Sequence, residues 1–424
     1  MSKSPPAPLP AAPAAPAVPA TPAVPAGAAI YIALVQFLFV ITWTIYVIFL
    51  PGLLESAGLP RAWTPWILLL DQLVFMVADV ATGVFADRVQ RTLGRLGPLI
   101  VGWTVLSCIA FLLVPHVVLL GGAAPLLALG LVLVWTITSS ALRAPPWVLL
   151  GKYAARPALP WLNSLTLIGL AAGGALAPFL GVALKSVDPR LPFALSSLTL
   201  LTATAGIVHL ERSLARRPMP AARLATVPRV LDPHHAAWML GILLLAAAFQ
   251  THFSLNAAGQ FLRFARPADL EWLLPLFWVG FGAAMLPGAG LCKRHGALLV
   301  MAVAALLGAG SALAAANAGS LNALIAAQLV AGGAWGSMLV AIFSSAAELG
   351  RSGREGLALG TMFAMLALAT VVRIIAVLAG LPKNAALAPM LAWMPVTLWT
   401  AGGLLIGVLA WRARRQADAA VVGA

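Results

Sequence analysis

The sequence predicts an all-α integral membrane protein whose twelve transmembrane helices form two pseudo-symmetric halves of six helices each. Composition is the first reason: the chain has 424 residues, of which 62% are hydrophobic and 9% charged, and its mean hydropathy is +0.98. A soluble domain carries about 25% charged residues, and a chain of this size has too much surface to hide so many apolar side chains. The lengths of the apolar runs and one central basic connection are the other two reasons.

The apolar runs are each long enough to cross a bilayer, which takes about 20 residues. In chain order they cover 28–51, 63–86, 98–119, 123–148, 159–184, 190–211, 234–259, 269–291, 295–316, 320–348, 355–381 and 388–412. They group into an N-terminal six-helix bundle over 28–211 and a C-terminal six-helix bundle over 234–412.

The remaining segments flank or connect these bundles. Residues 1–27 are so rich in Pro and Ala that we expect a disordered cytoplasmic tail, and residues 413–424 are predicted to be a second tail. Residues 212–233 form a basic, proline-containing cytoplasmic linker. The segment from Gly83 to Arg88 has a degenerate counterpart from Gly288 to Lys293, and repeated six-helix halves are typical of transporters.

The distribution of basic residues predicts the orientation. With both termini inside, eighteen of the 26 Lys and Arg residues lie on the inner side, six lie on the outer side and two lie within spans. Basic residues accumulate in cytoplasmic loops, so we expect a multi-pass protein of the cell membrane, a bacterial inner membrane, with cytoplasmic termini. The formal charge of +14 does not indicate nucleic-acid binding, because the basic residues occur in short clusters without an adjacent aromatic-basic patch.

A short motif follows the second span. Gly83-x-x-x-Asp87-Arg88, with Gly94-Arg95 after it, resembles the loop between the second and third helices of the major facilitator superfamily. Around it, the sequence is similar to one branch, the glycoside–pentoside–hexuronide:cation symporters (melibiose-permease-like) and their sucrose-transporter relatives. This resemblance is carried by Ala78-Asp79, Gly83, Gly94-Arg95, Pro98, Pro145 to Leu150 and Leu162-Asn163-Ser164.

The resemblance implies the twelve-helix major facilitator fold and transport of a sugar or glycoside. It also implies a cytoplasmic gating motif made of Gly83, Asp87, Arg88, Arg91, Gly94 and Arg95. Cation symporters of this branch usually carry a second acid one turn before the acid at Asp79, where this chain has Phe75, and a polar residue where it has Ala78. Sodium needs several oxygen ligands, whereas a lone carboxylate can bind a proton. We therefore expect H⁺ as the coupling ion, and no cofactor or metal site.

Four charged residues lie inside the spans: Asp71, Asp79, Arg143 and Arg373. With a rise of about 1.5 Å per residue, Asp79 and Arg143 have similar depths, and so do Asp71 and Arg373. The hypothesis is therefore two pairs, a proton-coupled Asp79–Arg143 pair and an outer Asp71–Arg373 latch, since buried charges are costly unless paired. Two alternatives are that a pair only neutralises charge, or that one arginine faces a cavity and binds an anionic substrate.

Polar residues fall mainly on spans 1, 4, 7 and 10, which line the cavity in the resembled superfamily. The predicted substrate-binding residues are Gln36, Ser140, Asn163, Gln250, His252, Asn256, Gln328 and Trp335. His252 could equally be a helix contact, and Ser and Thr in spans often bond their own backbone. Several aromatic residues could stack on a substrate ring but are also typical of packing: Trp43, Tyr46, Phe249, Phe253 and Trp278.

These features predict a secondary transporter that moves a small polar, sugar-like solute by alternating access with proton coupling. The alternatives are transport of an organic anion or zwitterion by the buried arginines, or uniport without ion coupling. We expect no enzymatic activity, because the sequence has no metal-ligand cluster, nucleophile motif or phosphate loop. The expected partners are a small-molecule substrate and the lipid bilayer, and the expected state is a monomer.

Overall fold

The computed structural model describes residues 24–92, 95–154, 158–216, 233–350, 354–384 and 386–422, and the regular secondary structure in these ranges is entirely helical. Twelve helices in them are long and apolar enough to cross a membrane, which confirms the predicted all-α, twelve-span architecture. In order, α1 to α12 are Ala26–Ser56, Arg61–Val89, Gly97–Val117, Ala124–Tyr153, Leu159–Ala183, Arg190–Ala215, Pro233–Phe261, Pro267–His295, Ala297–Ala316, Leu321–Leu349, Glu355–Leu378 and Pro389–Gln416.

Each predicted span overlaps one of these helices, and the differences lie at the ends. Helix α6 continues to Ala215, into the predicted linker, and the helix containing α12 runs over Ala388–Val422, so most of the predicted C-terminal tail is helical. Ala, Arg and Gln in 413–424 are good helix formers, which explains the extension. Residues 1–23 of the predicted tail and 217–232 of the predicted linker lie outside the described residues.

Helix α4 is interrupted in its second half. A regular segment Ala124–Ser139 is followed by a 3₁₀ turn over Ser140–Leu142, and helix resumes over Ala144–Tyr153. The break follows from Pro145 and Pro146, which have no N–H to donate to the preceding turn. The carbonyl of Leu142 instead accepts a hydrogen bond of 2.8 Å from Gln36 Nε2 of α1.

The two halves repeat the same packing. In the first half α1 packs on α5 and α3 on α6, and in the second half α7 packs on α11 and α9 on α12. Two further pairs, α2 with α11 and α5 with α8, join the halves and are equivalent under the same repeat. The architecture is therefore two pseudo-symmetric six-helix bundles joined by two related helix pairs and by smaller contacts.

One end of the protein, here called the basic end, contains the loop after α2 and the ends of α6, α8 and α12. The carboxylate of Glu211 accepts hydrogen bonds of 2.7 Å from the amides of both Leu96 and Gly97. Arg414 donates to the carbonyl oxygen of His295. These contacts tie together loops whose basic residues are predicted to be cytoplasmic.

At this end α2 and α11 touch through their backbones. A Cβ atom on Gly83 would collide with the carbonyl group of Gly356, and a Cβ atom on Gly356 would collide with that of Gly83. A Cβ atom on Gly360 would also lie too close to the carbonyl oxygen of Asp79, at 2.5 Å. Small residues permit such close approach of membrane helices, so these glycines set the separation of the two halves.

We predict that Gly83→Ala lowers the melting temperature of the purified protein in detergent. Alanine in a helix interior is favoured over glycine by about 1 kcal/mol, but over-packing costs about 1–3 kcal/mol, and here the obstacle is backbone. The matched control is Gly102→Ala in α3, where a Cβ atom meets nothing within 4 Å, so that melting temperature should stay the same or rise. Equal effects of the two substitutions would contradict the backbone contact.

Candidate functional site

A cavity of about 520 Å³ lies between the two halves. Its walls come from α1, α2, α4 and α5 of the first half and from α7, α8, α10 and α11 of the second. Ser254, which lines it, is exposed. Its aromatic lining residues are Phe39, Trp43, Phe75, Trp147, Phe249, Phe253, Trp278, Phe343 and Phe363.

Contacts between the halves close the cavity on the side of the basic end. The ring of Trp147 from α4 lies against that of Phe343 from α10, with a centroid distance of 3.9 Å. Next to them, Asn163 of α5 donates a hydrogen bond of 3.2 Å from Nδ2 to Ser344 Oγ of α10. Both contacts join the first half to the second, so the structure is closed between the cavity and the basic end.

Asp79 and Arg143 are in direct contact. Arg143 Nε donates to Asp79 Oδ2 at 2.9 Å, and the Asp79 side chain is fully buried. The Arg143 guanidinium also lies 4.6 Å from the ring centroid of Phe75 and 5.1 Å from that of Phe363. The contact predicted from matched depth is therefore present, and because Phe363 belongs to α11, the pair also contacts the opposite half. Its role in coupling stays a prediction.

The predicted contact between Asp71 and Arg373 is absent from this structure. Asp71 accepts hydrogen bonds from Tyr46 Oη at 2.7 Å and from Thr136 Oγ1 at 2.8 Å, and all three residues are buried. The two hydroxyl groups belong to α1 and α4, so Asp71 links three helices of the first half. Hydroxyl donors satisfy a buried carboxylate without a cation, which removes the reason for an ion pair across the halves.

Arg373 faces the cavity and has no hydrogen-bond or ion-pair partner among the described residues. It is half-buried and lines the cavity, and its Nε atom is buried without a hydrogen bond among the described residues. The neighbouring Thr370 accepts a hydrogen bond of 2.9 Å from Gln250 Nε2. This placement agrees with the alternative in which one buried arginine is available to a ligand.

The described lining carries more positive than negative charge. Its charged residues are two arginines, Arg143 and Arg373, and no Asp or Glu belongs to the described lining. Asp79 neutralises Arg143 from behind the cavity wall. The cavity therefore has one uncompensated positive charge, at Arg373.

Two of the eight predicted substrate-binding residues line this cavity, Gln36 and Gln250. The other six are in contacts between helices. Ser140 lies in the α4 turn and Asn163 bonds Ser344. The remaining four are His252, Asn256, Gln328 and Trp335.

These four residues contact helices of the second half. His252 Nε2 lies 3.0 Å from Gln328 Oε1, and Gln328 Nε2 donates to Gln260 Oε1 at 3.0 Å. Asn256 donates to the carbonyl oxygen of Leu391. Trp335 stacks on Phe249, which itself lines the cavity. In this structure the four residues therefore hold the second bundle together. For His252, this is the helix contact that the sequence left open as the alternative.

Residues 250–256 of α7 form a π-helix. A π-helix has more residues per turn than an α-helix, so the side chains that share a face differ from the 3.6-residue pattern. Gln250, Phe253 and Ser254 face the cavity, whereas His252 faces away from it. The sequence pattern gave no indication of this irregularity.

The predicted gating motif begins within the last turns of α2, and Gly83 and Asp87 lie at the contact between the halves. Asp87 accepts hydrogen bonds of 2.7 Å from the Gly356 amide and 3.0 Å from the Leu357 amide, at the N-terminus of α11. Arg88 and Arg95 are exposed. The side chain of Arg91 and the whole of Gly94 lie outside the described residues.

Sequence reasoning missed several polar residues of the lining, namely Gln72, Trp147, Thr166, Ser254 and Thr370. Trp147 carries a buried Nε1 atom that has no hydrogen-bond partner within the described ranges. A usable signal existed for Thr370, which precedes Arg373 by one helical turn and so shares its face. The others are single polar residues in apolar runs and carry no distinguishing pattern.

Solved structures share this fold. The human organic anion transporter MFSD10 (TETRAN) is 16% identical with a TM-score of 0.69, covering 91% of this chain and 100% of that one. A bacterial homologue of the iron transporter ferroportin in an outward-facing state is 15% identical with a TM-score of 0.71, covering 90% and 99%. The major facilitator superfamily transporter FucP in the outward conformation is 15% identical with a TM-score of 0.64, covering 89% and 97%.

No family model and no curated protein sequence matches the chain. At identities of 14–16% the structural similarity shows the fold alone. The chain therefore has the fold of major facilitator superfamily transporters, as its motif implies, while the glycoside branch within that superfamily stays a prediction.

We predict that Asp79→Asn lowers the melting temperature of the purified protein, because it leaves Arg143 without its counter-charge in a cavity wall. Removing one partner of a buried ion pair costs about 3–5 kcal/mol. The double variant Asp79→Asn/Arg143→Gln should be more stable than the sum of the single effects predicts. Asp71→Asn, the same change two turns away on the same helix, should be milder. Additive effects at Asp79 and Arg143 would contradict a coupled pair.

Proposed function

We propose that the protein is a secondary transporter that moves a small solute across the cell membrane by alternating access. The observation that carries this proposal is a cavity lined by both halves of a major facilitator fold and closed at one end by contacts between those halves. The positive-inside rule assigns the closed basic end to the cytoplasm. The described conformation is then open to or occluded from the outside, and transport requires the basic end to open.

Asp87 and the glycine contact form the closure that must break. Two backbone amides at the start of α11 donate to Asp87, and a carboxylate there also interacts favourably with the helix dipole. Capping interactions of this type contribute about 1 kcal/mol, which is small enough to be broken during a transport cycle. Gly83 and Gly356 bring the two helices close enough for these hydrogen bonds to form.

The lining of the cavity favours an organic anion over the sugar that the sequence resemblance implies. The amide N–H groups of Gln36 and Gln250 already donate to Leu142 and Thr370. The described lining includes no Asp, Glu or Asn, so its acceptors for sugar hydroxyls are neutral glutamine and hydroxyl oxygens, whereas Arg373 is available to an anion. A sugar is kept as the second candidate because the aromatic walls would also stack on one.

Asp79 is the proposed site of proton coupling. One of its oxygens accepts from Arg143, while Oδ1 is buried and, within the described part of the chain, has no hydrogen-bond partner. A proton on that oxygen would neutralise Asp79 and release Arg143 towards the cavity. Protonation and the charge presented to the substrate would then change together, which is the requirement for coupling.

We predict that liposomes containing the protein alkalinise the external medium when a transported compound is added, and that Asp79→Asn abolishes this proton movement. The measurement adds sugars and small organic acids in turn and follows a pH-sensitive dye. Asp71→Asn is the matched control and should keep proton movement, because Asp71 is bound only by hydroxyl groups.

Substrate counterflow, which needs no net proton release, establishes that the Asp79→Asn variant is folded and binds. Uptake without proton movement in the unmodified protein would indicate a uniporter or exchanger. Proton movement that survives Asp79→Asn would contradict the proposed coupling site.

A further inference from the structure

We propose that the cavity binds an amphipathic organic monoanion, a flat apolar body with a single carboxylate or sulfonate group, and that Arg373 binds the charged group. This inference rests on the proposed function, since it names the substrate class of the same cavity. It assigns a ligand-binding role to Arg373 in place of the ion pair with Asp71.

Arg373 has an unused binding capacity. A guanidinium group has five N–H donors in a planar fork that matches a carboxylate. The described part of the chain provides no hydrogen bond or ion pair to Arg373, and its Nε atom is buried. An unsatisfied buried donor is costly, so an anion that enters the cavity gains the full interaction without displacing a protein group.

The polar neighbours of Arg373 do not compete for it. Gln250 donates to Thr370 at 2.9 Å, and the Gln250 side-chain oxygen accepts from Ser254 at 3.1 Å. Asp71, the acid of similar depth, is occupied by Tyr46. These polar groups therefore already have hydrogen-bond partners other than Arg373.

The number of free charges in the cavity limits the charge of the ligand. Arg143 is neutralised by Asp79 and lies between the rings of Phe75 and Phe363. While Asp79 is ionised, Arg373 is the one free cation among the described residues of the lining. A second anionic group on the ligand would lie among aromatic side chains without a counter-charge, and burying an unpaired charge is strongly unfavourable. A monoanion avoids this cost.

The walls of the second half indicate a flat apolar body. Phe249 and Phe253 are stacked with an interplanar angle of 6°, and Trp278 lies edge-on to both. All three rings line the cavity, as does Gln250. A volume of about 520 Å³ is typical of sites for drug-sized ligands and is much larger than an inorganic anion needs.

The test is isothermal titration calorimetry of the purified full-length protein with four probes. Naphthoate is the monoanion, naphthamide is a neutral molecule of the same shape, naphthalene dicarboxylate is the dianion, and phenyl glucoside represents the sugar class. We expect naphthoate to bind at least about tenfold more tightly than the other three probes, as one charge-assisted contact would give.

Substitutions of Arg373 test whether this residue causes the tighter binding of naphthoate. Arg373→Gln should weaken naphthoate binding roughly 10- to 100-fold and leave naphthamide binding unchanged, with Arg373→Lys intermediate because it keeps the charge but loses the fork. The matched control is Arg190→Gln, which removes an exposed arginine far from the cavity lining and should leave both affinities unchanged. Residual naphthamide binding and the melting temperature confirm that each variant is folded.

Equal affinities for naphthoate and naphthamide would overturn the inference, as would naphthoate binding that is unaffected by Arg373→Gln or no binding of naphthoate at all. Uptake into liposomes separates this inference from the proposed function. Arg373-dependent binding without uptake would support the anion site and contradict transport. Uptake of phenyl glucoside by a protein that does not bind naphthoate would support transport and overturn the anion site.

Discussion

The contact between α2 and α11 determines how the two halves of this protein meet. Gly83 and Gly356 have no side chains, so the helix backbones touch, and this proximity lets Asp87 accept hydrogen bonds from the first amides of α11. The same approach brings the ring of Phe363 against Arg143 of the first half. The close approach of α2 and α11 therefore closes the basic end, provides acceptors for the first amides of α11 and places an aromatic ring against Arg143. Substituents on either glycine would disturb all three together.

The buried charges divide the cavity into two regions with different electrostatic properties. Near the basic end, the break in α4 places Arg143 on Asp79, and the pair is neutral as a unit. Further along α11, Arg373 has no partner among the described residues. We propose that the neutral pair serves proton coupling and that the free guanidinium of Arg373 binds the ligand. The two tasks are then physically separate but share one cavity, so that occupancy at one position changes the electrostatic field at the other.

The sequence was sufficient for the architecture because apolar length is a direct consequence of the bilayer, and all twelve spans were predicted from it. Matched depth also identified the Asp79–Arg143 contact. Depth alone failed for Asp71, because it does not specify the direction in which a side chain points around the helix. The hydroxyl groups that bind Asp71 belong to other helices. Most predicted substrate residues lie outside the cavity lining for a related reason. A helix buried on several sides has polar residues on faces that bond other helices, and the π-helix of α7 shifts those faces.

Alternating access requires the two halves to rock about this cavity. Distances between spin labels on the protein in liposomes test this motion most directly. One pair, Arg95→Cys and Arg294→Cys, reports on the basic end, and the other, Arg190→Cys and Leu262→Cys, on the opposite end. All four positions are exposed, and the native Cys108 and Cys292 are buried. We predict that Asp87→Asn, which weakens the closure at α11, increases the population with a long distance at the basic end and a short distance at the opposite end. Distances that stay unchanged at both ends, or lengthen at both, would contradict alternating access.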